Sequence, residues 1–182
     1  MNVEITLVDV NPKMVAAWRH SFEENPEVTI LAGSMLDQNL DAWVTPTNSR
    51  GSMDGGLDAV IKKSLGAQVE ARVQAEIKKL HGGLLPVGHA TCVSSGSGRP
   101  RFLISTPTMV TSSEDISDTL NVALACAAAF QIIHMHNALG GGIINSGPLA
   151  SQFLREFVRE GAPDELDLDE VHAGSRSGAA PG

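Results

Sequence analysis

Asp41-Ala42-Trp43-Val44-Thr45-Pro46-Thr47-Asn48-Ser49-Arg50-Gly51-Ser52-Met53-Asp54-Gly55-Gly56-Leu57-Asp58-Ala59-Val60-Ile61 reads as a short strand, a polar glycine-bearing loop and the start of a helix. That order builds an anion site. The first helical turn leaves backbone N–H groups without intrahelical partners, and the helix dipole adds partial positive charge. Asn48 closes the strand, and its amide donates and accepts at once, which suits a sugar diol. Gly55 and Gly56 remove side chains where a diphosphate would touch backbone. Asp58 falls in the first turn, where the dipole is expected to keep a carboxylate ionised.

Upstream, Val3 to Val10 has the alternation and β-branching of a strand, and Asn11-Pro12 supplies an N-cap and a first-turn proline. The helix that follows places Val15, Trp18 and Phe22 on one face and stops at Asn25-Pro26; Val28 to Ala32 is a second strand. Downstream, Leu57 to Leu80 reads as an amphipathic helix with a stripe of Val69, Val73, Ile77 and Leu80, broken or kinked at Gly66. Its charges form a solvated face. Leu84 to Val93 enters another strand, and with a polar turn over 94–100 and a returning strand over 101–107 it makes a hairpin. Ser112-Ser113-Glu114-Asp115 signals a helix N-terminus, and residues 116–133 are apolar almost all round, which predicts a buried helix. Leu149 to Val158 reads as a final helix.

The order Asp-Ala-aliphatic-Val-x-x-x-Asn, a short loop, then Gly-Gly-aliphatic-Asp, present as Asp41 to Asn48 and Gly55 to Asp58, resembles the macrodomain family of ADP-ribose-binding modules. The resemblance covers about residues 1–145. It implies a three-layer α/β/α sandwich with a mostly mixed sheet: a macrodomain-like domain over 1–160, of the bacterial single-domain type, and a disordered acidic and Gly/Ala tail over 161–182. It further implies that Asn48 holds the distal ribose, that Gly55, Gly56 and Leu57 present backbone to the diphosphate, and that Asp58 positions or activates water. Thr106 and Met109 are pocket-lining candidates. Where the family carries an acid after the glycine of the second strand, this chain has Ser34, followed by Met35; a serine offers adenine a weaker contact, and Asp37 is near enough in sequence to substitute.

The family's second glycine-rich loop is represented by Gly140 to Leu149 in a different order. Either Ile143-Ile144 is a short strand followed by an abbreviated phosphate loop at Asn145, Ser146 and Gly147, or that loop is degenerate. The implied activity is hydrolysis of ADP-ribose from mono-ADP-ribosylated protein, without metal or cofactor; the alternative is a non-catalytic reader of ADP-ribose or ADP-ribosylated protein. A third reading starts from Leu7-Val8-Asp9-Val10-Asn11-Pro12, which resembles the second strand of a nucleotide-binding methyltransferase, here as a fragment. Such an enzyme needs a glycine-rich turn before the acid, and no glycine precedes Asp9.

A chain of 182 residues suits one well-buried domain. The net charge of −8 argues against a general nucleic-acid or membrane-surface binder. No apolar run reaches membrane-spanning length and no basic leader opens the chain, so cytoplasm is the expected compartment. Cys92 and Cys126 lie in apolar runs and read as small buried hydrophobes. His134 and His136 invite a metal reading, but residues two apart on a helix point to different sides and no ligand cluster accompanies them.

Overall fold

A computed structural model describes residues 3–111, 114–140, 144 and 146–150, the last five as backbone. In chain order the elements are β1 (Glu4–Asp9), α1 (Pro12–Ser21), β2 (Val28–Ala32), a 3₁₀ turn (Met35–Asp37), β3 (Ala42–Asn48), α2 (Gly56–Leu65), α3 (Gln68–His81), β4 (Thr91–Ser94), β5 (Phe102–Met109), α4 (Asn121–Ala138) and β6 (Ser146–Ala150). The strands form one sheet in the order β2-β1-β6-β3-β5-β4. All pairings are parallel except that of β4 with β5, which is antiparallel. The sheet is therefore mixed, with its antiparallel member at an edge, as a hairpin between Thr91 and Met109 requires.

Neighbouring residues of the inner strands show that both faces are covered. The Thr45 hydroxyl donates to Asp58 on α2, whereas Thr106, one register step beyond the Thr45–Ser105 pair, donates to the Ala125 carbonyl of α4 at 3.2 Å. Successive strand residues point to opposite faces, so α2 and α4 lie on opposite sides and the layers are α/β/α. Thr45, Ser105 and Thr106 are each almost fully buried, and the hydroxyls of Thr45 and Thr106 bond the strands to the helices on either face.

Local chemistry explains most boundaries. The Asn11 side chain accepts from the Lys13 N–H at 2.9 Å and Pro12 opens α1. The helix expected from Leu57 to Leu80 is two helices, parted at Gly66, whose φ of 88° no helix interior tolerates. In α3, Val69, Val73 and Ile77 are buried and Leu80 is exposed.

Two expected elements differ. The helix expected from residue 116 begins at Asn121, because the acids ahead of it serve a turn: Asp115 accepts from the Ser117 N–H and hydroxyl, and Glu114 accepts from the N–H groups of Val110 and Thr111. Nor is α4 buried all round: Val122, Ala125, Ala128, Ala129 and Ile133 face inward, while Leu124, Phe130 and Met135 are exposed. The residues given to a phosphate loop and the start of a final helix, 146–150, form strand β6 between β1 and β3; residues 151–158 and Asn145 lie outside the described residues.

Candidate functional site

The carboxyl ends of β1, β2, β3 and β5 gather Asp9, Gly33, Asn48 and Met109 around the amino end of α2, the position where open α/β sheets place their ligand crevice. A cleft of about 310 Å³ there is lined by Pro46, Thr47, Asn48, Ser52, Asp54, Gly55, Gly56, Leu57, Asp58 and Met109. Leu57 also walls a second, smaller cleft of about 120 Å³ with Val8, Asp9, Val10, Gly33, Ser34, Met35, Leu36 and Val60. Of the residues expected from sequence, the first cleft unites Asn48, Gly55, Gly56, Leu57, Asp58 and Met109; the second holds Ser34 and Met35.

No side chain caps the amino end of α2. Gly55 is extended, Gly56 has φ 54°, and a Cβ on Gly55 would meet nothing within 4 Å, so the backbone faces open space. The loop between β3 and α2 is tied down from both sides. Asn48 Oδ1 accepts from the N–H groups of Arg50 at 3.0 Å and Ser52 at 3.2 Å, and its amide donates to the Ser52 carbonyl at 3.1 Å. Glu70 on α3 accepts from the Met53 N–H at 2.7 Å and pairs with Lys62 at 2.7 Å, and Lys62 reaches Asp54 at 3.2 Å. Gly51 packs so closely on α3 that an added Cβ would lie 2.8 Å from the Ile77 side chain and 2.9 Å from that of Val73.

Asp58 is 8% exposed, and its carboxyl is pushed up from 3.8 to about 6. Burial is the cause; the Thr45 hydrogen bond, then the nearby Thr47 hydroxyl, oppose it, and Glu70 adds a little repulsion. Thr47 stabilises the anion through proximity, since its hydroxyl makes no hydrogen bond of ordinary geometry. Desolvation thus outweighs the helix dipole expected to keep Asp58 ionised, and leaves a carboxyl able to exchange a proton near neutrality.

Several expected residues lie elsewhere. Thr106 is fully buried and spends its hydroxyl on His89 and Ala125, joining β5 to its neighbours rather than lining a pocket. Ser146 and Gly147 pair with Glu4 and Ile5 at the amino end of β1, the opposite edge of the sheet from the crevice, so they supply no phosphate loop. Asp37 is exposed and lines neither cleft. Asp41, which leads the motif, is also at the far edge, where it pairs with Arg99 at 3.2 Å and Arg101 at 3.1 Å. Cys92 and Cys126 pack against the core half-buried, and burial pushes their thiols up to about 12 and about 11, which makes them poor nucleophiles.

Thr45, Thr47 and Glu70 were not singled out for the site from sequence, and Asp9 entered only as the acid of the methyltransferase-like reading. The threonines had a signal: they are two apart on a strand, hence on one face with Asp58.

An α/β crevice around an open helix amino end has a geometry suited to an anionic ligand. The Macro domain family model matches residues 44–144, more than half of the chain, and the chain belongs to the macrodomain family. A macro domain-containing protein of Streptomyces nogalater is 34% identical over 94 residues, 51% of this chain and 52% of that protein. One from Caldanaerobacter subterraneus is 30% identical over 78 residues, 43% of each chain. The chain thus spans about half the length of these curated relatives. Among solved structures, the macrodomain of Thermus aquaticus DarG aligns with a TM-score of 0.51 at 20% identity, over 78% of this chain and 82% of that one. A variant of the Oceanobacillus iheyensis macrodomain solved with ADPR gives a TM-score of 0.51 at 15% identity, over 70% and 89%. Among the described residues, no helix is long and apolar enough to cross a membrane.

Proposed function

We propose that the crevice binds ADP-ribose and hydrolyses its bond to a mono-ADP-ribosylated protein. The observation that carries this reading is that Asn48, Asp58 and the uncapped α2 amino end line one cleft. The diphosphate would accept from the N–H groups at Gly56 and Leu57, and the distal ribose would lie toward Asn48 and Met109. Asp58, with its raised pKa of about 6, is ionised in most molecules at neutral pH yet basic enough to take a proton from water. Water then attacks the anomeric carbon, the bond to the protein side chain breaks, and the leaving oxygen or nitrogen gains a proton from solvent or from the protonated Asp58. A neighbour of this fold was solved with ADPR, which supports the ligand class.

One observation favours the reader alternative. Both ends of the Asn48 amide are engaged by its own loop, so Asn48 serves first as the organiser of the cradle. Incubation with a mono-ADP-ribosylated protein separates the two. Release by the parent chain, with a loss of about 100-fold or more in Asp58→Ala, supports the hydrolase. Tight binding without release supports the reader, and neither binding nor release defeats both.

A further inference from the structure

Two histidines far apart from the crevice chemistry meet in a cleft of their own. His81 closes α3 and His89 precedes β4, and their ring centroids lie 5.4 Å apart at an interplanar angle of 75°. Both line a cleft of about 370 Å³ that also takes in Gln131 and Met135 of α4. His81 is half-buried and His89 exposed, so solvent reaches the pair. Neither imidazole has a hydrogen bond or ion pair among the described residues. Gln131 and Met135 are four apart on their helix, hence on one face, and bring an amide oxygen and a thioether sulfur to the same space.

We propose that His81 and His89 together hold a copper ion in this cleft, with Met135 and Gln131 as further donors. An imidazole nitrogen sits about 2.0–2.1 Å from such an ion and about 1.1 Å from its own ring centre, so two imidazoles sharing one ion at near-tetrahedral angles have centroids about 5.0–5.5 Å apart. The observed spacing falls inside that range. An exposed imidazole turns about χ2, which exchanges its nitrogen and carbon positions, so ring separation is the informative quantity. An edge-to-face contact alone also allows this spacing; the oxygen and sulfur donors gathered beside it favour the ion. Among the described residues no three His, Cys, Asp or Glu side chains converge, so the donor set is neutral and soft, which suits copper and excludes the carboxylate-rich shells of hard cations. The two histidines bracket a turn in which Gly82, Gly83 and Gly88 have φ of 65°, 103° and 84°. Within that turn Leu85 is fully buried, and its N–H donates to the Ser49 carbonyl at 2.8 Å, next to Asn48. An ion joining the imidazoles staples this turn and so braces the support of the crevice loop. The assignment does not depend on what the crevice binds.

Titration of the full chain with Cu²⁺ alone tests this. The paramagnetic ion should broaden the side-chain resonances of His81 and His89 together at substoichiometric amounts, along with the Met135 methyl, before those of His20, His134 and His136. In calorimetry, His81→Ala and His89→Ala should each weaken binding by about tenfold or more, and His20→Ala, on the exposed side of α1, should leave it unchanged. Bound Cu²⁺ should also raise the urea midpoint of the parent and not that of His81→Ala. Broadening that starts at another histidine, or an affinity that survives in either of the paired variants, overturns the site and leaves an edge-to-face ring contact only.

Discussion

Asp58 carries opposing demands in a single side chain. Its folded pKa of about 6 lies above the ordinary 3.8, so between those values the native state holds a proton that the unfolded chain has released. The stabilising contribution is fully present below the unfolded value and is lost as pH rises through the folded one, a total of about 3 kcal/mol. Asp58→Asn does not titrate. Urea unfolding from about pH 4 to 7.5 should therefore show the variant gaining on the parent by about 2–3 kcal/mol as pH rises, with most of the gain below pH 6.5. Parallel stability curves would contradict the burial of this carboxyl. A group that weakens the fold at working pH is more at home in a site than in a core, and here it borders the crevice beside Thr47 and Asn48.

The cradle between β3 and α2 is held rigid by its packing on α3. Gly51, at φ 67° and in contact with Val73 and Ile77, joins the two. Gly51→Ala adds left-handed backbone strain and overpacking together, and should lower unfolding stability by about 2–4 kcal/mol, read from the denaturant midpoint. A change within about 0.5 kcal/mol would mean that the loop moves freely off α3. This strand, loop and helix were legible in sequence because short-range chemistry specifies them: Asn48 closes an Asx-type turn, Gly55 and Gly56 open the helix, and Gly66 ends it. The α4 start was not legible, since Glu114 and Asp115 suit a turn as well as a helix cap. Nor was β6. Ser146-Gly147-Pro148 has turn chemistry, and Pro148 lacks the N–H that an inner strand normally donates; only pairing with distant β1 and β3 makes the segment a strand. The unpartnered Oδ2 of Asp9 is likewise a tertiary fact: Asn11 bonds to Oδ1 and Gly33 to the backbone carbonyl, and no donor among the described residues reaches Oδ2.

At the scale of the molecule, strand order does the positioning. Placing β6 between β1 and β3 separates the two strands whose ends carry Asp9 and Asn48, and α2 crosses the gap so that Leu57 faces both clefts. Under the proposed function, one extended ligand would span both clefts across Leu57. The opposite edge of the sheet, with Asp41 held by Arg99 and Arg101, keeps β3 and β5 aligned and takes no part in the crevice. The central claim, that ADP-ribose lies across the amino end of α2, is tested most directly by backbone amide NMR during titration with ADP-ribose. The largest shift changes should fall on Gly55, Gly56, Leu57, Asp58 and Met109, with the outer face of α4 around Phe130 and Met135 unmoved. Saturable changes confined to α4 or the far edge of the sheet, or none at millimolar ligand, would contradict it.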